Sequence, residues 1–126
     1  MSIKTMIDNY QNFLSVICDK VKNGEKNVES GLLEIERLHS NFYDMLLSIE
    51  SFGGFNGNRV WCYISSIDLK YFYSKKSIEK CKNKLYNVVL HTETGDRVIK
   101  KNLSLYDAKY YFDGIENTYI VERGVK

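Results

Sequence analysis

Proline is absent from this chain of 126 residues. Long apolar runs are also lacking, since none approaches the ~18 residues that a membrane-spanning helix needs. The first eight residues are amphipathic and already carry an acid, Asp8, so they lack the continuous apolar segment of a signal peptide. We therefore expect no membrane segment and a cytoplasmic location.

Cysteine and histidine are scarce and widely spaced. Cys18, Cys62 and Cys81 are odd in number and form no C-x-x-C pair, which argues against a disulfide framework and fits a reducing compartment. His39 and His91 stand far from one another and have no zinc-ligand spacing relative to the cysteines. We expect both histidines to be packing or surface residues, and we predict no metal site.

The same scarcity argues against catalysis. In an alternating pattern Cys62 shares a face with Val60 and Ile64, which predicts a core position, where a thiol is usually inert. No pair of carboxylates stands out as an acid and base couple. We therefore expect neither enzymatic activity nor a cofactor.

Composition indicates a globular chain from a low-GC genome. Hydrophobic residues make up 44% and charged residues 27%, which is neither a disordered nor a membrane composition. Lys, Asn, Ile and Tyr are over-used, and AT-rich codons encode all four. With the small size and the lack of catalytic motifs, this bias suggests a phage or other mobile element, although a housekeeping protein of the same kind of host is the alternative.

The N-terminal part is predicted to form two helices. Apolar residues recur at three- and four-residue steps in both, and Asn23-Gly24 ends the first helix while Asn27 or Ser30 caps the second. The short linker predicts an antiparallel αα-hairpin. The two stripes are Ile3, Met6, Ile7, Tyr10, Leu14, Ile17 and Val21, and Val28, Leu32, Ile35, Leu38, Phe42, Met45, Ile49 and Phe52.

The second helix is apolar on more than one side, because Leu33, Leu46 and Leu47 lie outside its stripe. These additional apolar side chains must pack against either the C-terminal part or a second copy of the protein. We expect a homodimer through the N-terminal helices on this ground.

A glycine-rich stretch at residues 52–61 follows the second helix. Phosphate-binding loops run from a strand into a helix, whereas this stretch is predicted to run from a helix into a strand, so we interpret it as a connector. Phe55, Arg59 and Trp61 are its distinctive members. Arg and Trp are enriched at binding hot spots, and we predict that these three residues bind a partner.

The C-terminal part is predicted to be a small sheet. Residues 60–65 and 67–73 alternate with period two, as two strands or one bent strand. A short helix is expected over 75–84, a hairpin over 85–99 with a turn at 93–96, and a helix capped by Ser104 that ends at Gly114. Residues 118–122 form the last predicted strand.

Charge is distributed unevenly. Residues 1–52 hold five basic and eight acidic side chains, while residues 53–126 hold thirteen and eight. Much of the excess lies at 70–84, where lysines stand beside aromatic rings, the combination that single-stranded nucleic acid requires. The candidate nucleic-acid residues are Lys70, Tyr71, Tyr73, Lys75, Lys76, Lys80 and Lys84.

A third interpretation is a small-ligand site. Ten tyrosines, with Trp61, Arg59 and nearby lysines, can build an aromatic pocket with cationic edges for a nucleotide, placed at subunit interfaces of an oligomer. The alternative is that tyrosine is abundant only because AT-rich codons encode it.

Taken together, the sequence predicts an α+β protein, with an N-terminal antiparallel αα-hairpin and a small, mainly antiparallel sheet with two short helices. Residues 1–52 are the helical hairpin, 53–59 the connector and 60–126 the α+β unit of one compact domain. The expected function is non-enzymatic binding of a host protein, as a phage or mobile-element inhibitor of a host factor such as a defence system. The alternatives are a nucleic-acid-binding regulator and an oligomer that sequesters a nucleotide.

Overall fold

Four helices and a three-stranded antiparallel sheet make up the described part of this computed structural model, which covers residues 3–51 and 57–123, without the side chains of 50, 51 and 57–61. The α+β fold class is therefore confirmed. The elements are α1 (Ile3–Lys22), α2 (Val28–Ser51), α3 (Gly57–Glu79), a 3₁₀ helix (Lys80–Asn83), β1 (Tyr86–Thr92), β2 (Gly95–Leu103), α4 (Leu105–Gly114) and β3 (Thr118–Glu122).

The predicted helical hairpin is confirmed. The Asn27 side chain accepts a hydrogen bond from the backbone N–H of Ser30 at 2.7 Å, so Asn27 is the cap of α2. Tyr10, in the middle of α1, packs on Phe42 with ring centroids 4.8 Å apart. Val21, near the end of α1, lies against Gly31, near the start of α2, so the two helices run antiparallel.

The strands predicted at 60–65 and 67–73 are wrong, because these residues belong to α3. Ile64, Ile67 and Ile78 are buried, and their spacing follows one face of a helix rather than one face of a strand. Aromatic and β-branched residues made the local pattern ambiguous, and packing of a third helix on α2 decided it. The helix predicted at 75–84 is the end of α3 together with the 3₁₀ helix.

The three long helices enclose the main core. Ile35 and Ile67 are fully buried there, and Ile78 lies beside the junction of Val21 with Gly31. Of the residues in the predicted apolar surplus of α2, Leu46 is buried, while Leu33 and Leu47 remain 49% and 39% exposed. The homodimer stays a prediction.

A polar network at the edge of this core joins all three helices, and the side chains of His39 and Asp68 in it are 18% and 55% exposed. The Tyr10 hydroxyl lies 3.0 Å from His39 Nδ1, and His39 Nε2 lies 3.3 Å from a carboxylate oxygen of Asp68. The His39 ring also stacks on Tyr71, with centroids 4.2 Å apart. With Nε2 protonated, neutral His39 accepts from Tyr10 and donates toward Asp68, so each ring nitrogen has a partner.

The sheet has the order β2-β1-β3, with both pairs antiparallel. The predicted hairpin is confirmed, since Thr92 pairs with Gly95 at its closed end. Val88 is paired with Lys100, whose ammonium lies 5.0 Å from the centroid of the Tyr111 ring of α4. Val88 and Ala108 are both fully buried, so α4 covers this face of the sheet.

Helix α4 begins and ends as predicted. Ser104 is its N-cap, and its hydroxyl accepts a hydrogen bond from the backbone N–H of Asp107 at 3.2 Å. The helix ends at Gly114, and β3 follows over the predicted residues.

The loop between α1 and α2 attaches the bundle to α4. Gly24 has φ of +77°, and a Cβ there would lie 2.7 Å from Lys109 Cδ and 2.8 Å from Leu105 Cγ. The Lys109 ammonium donates a hydrogen bond to the Asn23 carbonyl at 2.9 Å. Backbone geometry and close packing therefore both select glycine at this position.

Gly24→Ala is expected to lower the free energy of unfolding by about 1–3 kcal/mol, because it adds a left-handed strain and a contact with α4. Gly114→Ala is the matched control, since a Cβ there meets nothing within 4 Å. Urea denaturation measures both variants. Equal stability of the two would contradict both the left-handed strain and the contact with α4.

Replacing His39 by Gln is expected to make the free energy of unfolding fall less as the pH is lowered below neutrality. Burial lowers the pKa of His39 below its usual value, against an opposing effect of Asp68. A lowered folded-state pKa means that stability is full above the unfolded pKa of about 6.5 and is lost as pH falls through the folded value. Wild type should therefore lose more stability than His39→Gln between pH 7.5 and 5.

Urea midpoints at the two pH values test this difference. His39→Gln should also cost about 1–3 kcal/mol at pH 7.5, because one Gln amide cannot take the places of both ring nitrogens, and the contact with Tyr10 or with Asp68 is lost. Parallel pH profiles for the two proteins would rule out titration of His39 as a source of acid lability.

Candidate binding surfaces

The residues predicted to bind a partner lie at the start of α3 or before it. Phe55 lies outside the described residues, and Arg59 and Trp61 belong to α3 with side chains that are not described. The connector joins helix α2 to helix α3, so the premise that it leads into a strand is wrong. The order strand, glycine loop, helix of a phosphate loop is still not met, because α2 precedes the connector.

The seven candidate nucleic-acid residues divide among three places. Tyr71 is half-buried against His39, and the Lys75 ammonium lies 5.9 Å from the centroid of the Tyr71 ring. Tyr73 and Lys76 are exposed on the solvent side of α3, and Lys70 is half-buried between that side and α1. Lys80 and Lys84 line a cleft beyond the end of the helix.

The solvent side of α3 carries large apolar side chains. Leu69, Phe72 and Tyr73 are 56%, 56% and 64% exposed. Phe72 and Tyr73 meet edge to face with ring centroids 5.8 Å apart, and the Lys76 ammonium lies 5.7 Å from the centroid of the Phe72 ring. We call Cys62, Leu69, Phe72, Tyr73 and Lys76 the outer face of α3.

This face is shallowly concave. One depression lies between Cys62, Leu69 and Tyr73, with Ser65, Ser66 and Lys70 completing its lining. A second depression reaches from Lys70 and Tyr73 across to Gln11 and Ser15 of α1. The outer face therefore continues onto the neighbouring helix.

Cys62 was predicted to be a core residue, and this is wrong, because it is exposed. In a strand Cys62 and Ile64 share a face, but in a helix two residues apart they point in nearly opposite directions. Cys18 is the buried thiol, with its sulfur 3.9 Å from the Ser74 carbonyl oxygen. Burial raises the pKa of Cys18, so it is a poor nucleophile.

A cleft of about 410 Å³ lies between the helical bundle and the α4 end of the sheet. Four lysines lie around it, contributed by the end of α1, the loop after it and the segment after α3. Apolar and hydroxyl-bearing side chains complete its walls. The lining residues are Val21, Lys22, Lys26, Val28, Ser77, Lys80, Cys81, Lys84, Tyr86, Ser104, Leu105 and Tyr106.

The lysines of the cleft are only partly neutralised. Lys26 forms an ion pair with Glu34. Within the described ranges no carboxylate lies at ion-pair distance from Lys22, Lys80 or Lys84. Burial raises the pKa of Tyr86, Glu122 raises it further, and Lys84 opposes the shift. The cleft therefore has a positive rim.

A second polar cluster lies on the sheet face that α4 does not cover. Asp96 accepts from the Tyr119 hydroxyl at 2.6 Å and lies 2.6 Å from His91 Nδ1. Hydrogen bonds from Tyr119 and then His91 lower the pKa of Asp96. The three residues come from the three strands, so this cluster cross-links the sheet at its surface.

The described residues contain no group of three or more His, Cys, Asp or Glu side chains placed to hold a metal ion. None of the helices in these ranges combines the length and apolarity needed to cross a membrane.

Comparison of the chain with protein-family models, with curated proteins and with solved structures found no match.

Neither the outer face of α3 nor the lysine cleft was predicted as a site from the sequence. Lys80 and Lys84 had been assigned to a nucleic-acid stretch, but Lys22 and Lys26 had been counted only as charge of the acidic half. The two pairs meet because α1 and α3 end at the same end of the bundle. No local sequence pattern predicts that these two pairs of lysines lie around one cleft.

Proposed function

We propose that the protein is a protein-binding protein that docks on its partner through the outer face of α3. The observation that carries this proposal is the exposure of Leu69, Phe72 and Tyr73 on one helical face. Three such side chains side by side are typical of an interaction surface rather than of scattered surface apolarity.

Burial of this face would supply part of the free energy that specific binding needs. Full burial of a large apolar side chain is worth about 1.5–3 kcal/mol, and each of these three still exposes more than half of its surface. About 3 kcal/mol in total is therefore available from them. Aromatic side chains at the centre of an interface frequently supply most of its binding energy.

The charges around the face indicate the chemistry of the partner. Lys70 lines both depressions of the face, and Lys76 covers Phe72. An amphipathic helix with such a border fits an apolar groove that has acidic residues on its rim. We therefore propose that the partner is a protein with an apolar groove bordered by acidic residues.

Single-stranded nucleic acid is the alternative occupant, and Leu69 favours the protein. Base stacking uses rings, and an aliphatic side chain at the centre of the face offers none. Tyr71, one of the rings assigned to nucleic acid, is already stacked on His39.

The proposed mode of action is occlusion. A chain of this size that covers a groove on a larger protein blocks whatever else binds there, which is how an inhibitor of a host factor would work. The low-GC composition and mobile-element interpretation support a host protein as the target.

The double variant Phe72→Ala/Tyr73→Ala is expected to bind the partner roughly 30-fold more weakly, equivalent to about 2 kcal/mol. Affinity isolation from host lysate identifies the candidate, and calorimetry with the purified candidate gives the affinities. Tyr110→Ala/Phe112→Ala on α4 is the matched control, because it also removes two exposed rings.

Unchanged affinity of the α3 double variant would overturn the docking surface. Recovery of nucleic acid alone, with binding that disappears as salt is raised, would favour the alternative. A concentration-dependent dimer that the double variant abolishes would assign the face to a second copy of the chain.

A further inference from the structure

We propose that the cleft between the bundle and α4 binds a small phosphorylated molecule that carries an apolar ring, of which a nucleoside phosphate is the representative. This site is separate from the outer face of α3 and does not rest on the function proposed for that face. It differs in position from the Arg59 and Trp61 pocket that the sequence suggested.

Charge is the first reason. Lys22, Lys26, Lys80 and Lys84 come from separate segments and surround one concave space. Bringing like charges together is unfavourable unless an anion is shared among them, and a concave low-dielectric wall strengthens the field between them. With Lys26 paired to Glu34, three lysines still lack an acidic partner among the described side chains.

The start of α4 is the second reason. Ser104 and the first two helical residues, Leu105 and Tyr106, line the cleft. The first N–H groups of a helix have no acceptor inside the helix, and the Ser104 hydroxyl satisfies only that of Asp107. The ten-residue α4 therefore adds backbone donors and a partial positive charge to the lysines.

The third reason is that the cleft is not purely polar. Val21, Val28 and Leu105 give it apolar wall, and Ser77, Tyr86 and Tyr106 add hydroxyl groups. Its volume of about 410 Å³ lies within the range of small-molecule sites. Inorganic phosphate would use the lysines but leave this wall uncovered, so the geometry favours a phosphate attached to a ring.

Calorimetry with ATP, adenosine and tripolyphosphate, in magnesium-free buffer with 50 mM salt, tests the proposal on the full chain. ATP should bind, and more weakly as salt is raised, because its phosphates meet the lysines. Adenosine, which lacks charge, and tripolyphosphate, which lacks the ring, should each bind at least about tenfold more weakly, a difference of about 1.4 kcal/mol.

Lys80→Gln/Lys84→Gln should weaken ATP binding at least about tenfold, which is about 1.4 kcal/mol. Lys22→Gln, from the opposite wall, should weaken it as well. Lys82→Gln/Lys101→Gln is the control of equal charge, since both residues are exposed and neither lines the cleft. Circular dichroism melts verify that every variant is folded.

Three results would overturn the proposal. The first is that no ATP binding is detected at 1 mM ligand, which is about the weak end of specific affinities. The second is an equal loss of ATP affinity in the cleft variants and the control variant. The third is that tripolyphosphate binds as tightly as ATP. The second would indicate attraction by net charge alone, and the third would show that the apolar wall takes no part.

Discussion

The Tyr10–His39–Asp68 network is the constraint on which the arrangement of the helices depends. It takes one residue from each long helix: the contact of 3.0 Å joins α1 to α2, and that of 3.3 Å joins α2 to α3. With Asp68 and Tyr71 turned toward His39, helical geometry turns Leu69, Phe72 and Tyr73 toward solvent. The polar network and the external apolar face are thus two consequences of one helix orientation.

The lysine cleft depends on the end of the bundle at which the α1–α2 loop meets α4. Gly24 allows the α1–α2 loop to approach α4, and the hydrogen bond from Lys109 to Asn23 holds the two together. The segment after α3 passes the same place on its way to β1. This convergence brings two pairs of lysines and the start of α4 around one cleft. A change at Gly24 is therefore expected to alter the cleft as well as the stability.

Local signals predicted several elements correctly. Asn27 caps α2, Ser104 caps α4, and the hairpin turn lies between Thr92 and Gly95, because each depends on residues within four positions of one another. Residues 60–73 were mistaken for strand because Val, Ile, Tyr and Trp favour strands in isolation, and only the exposed apolar side of α2 made a third helix favourable. The binding surfaces were harder still. The outer face of α3 exists only if the segment is a helix, and the cleft needs residues more than fifty positions apart.

Reactivity of Cys62 toward a thiol reagent tests the orientation of α3 most directly. Cys62 lies on the outer face, whereas Cys18 is buried in the core. In single-cysteine variants that retain one or the other, Cys62 should react with Ellman's reagent in the native state nearly as fast as in urea. Cys18 should react only as the protein unfolds. Protection of Cys62 equal to that of Cys18 would contradict the account, because it would place this residue in a core, as a strand at 60–65 requires.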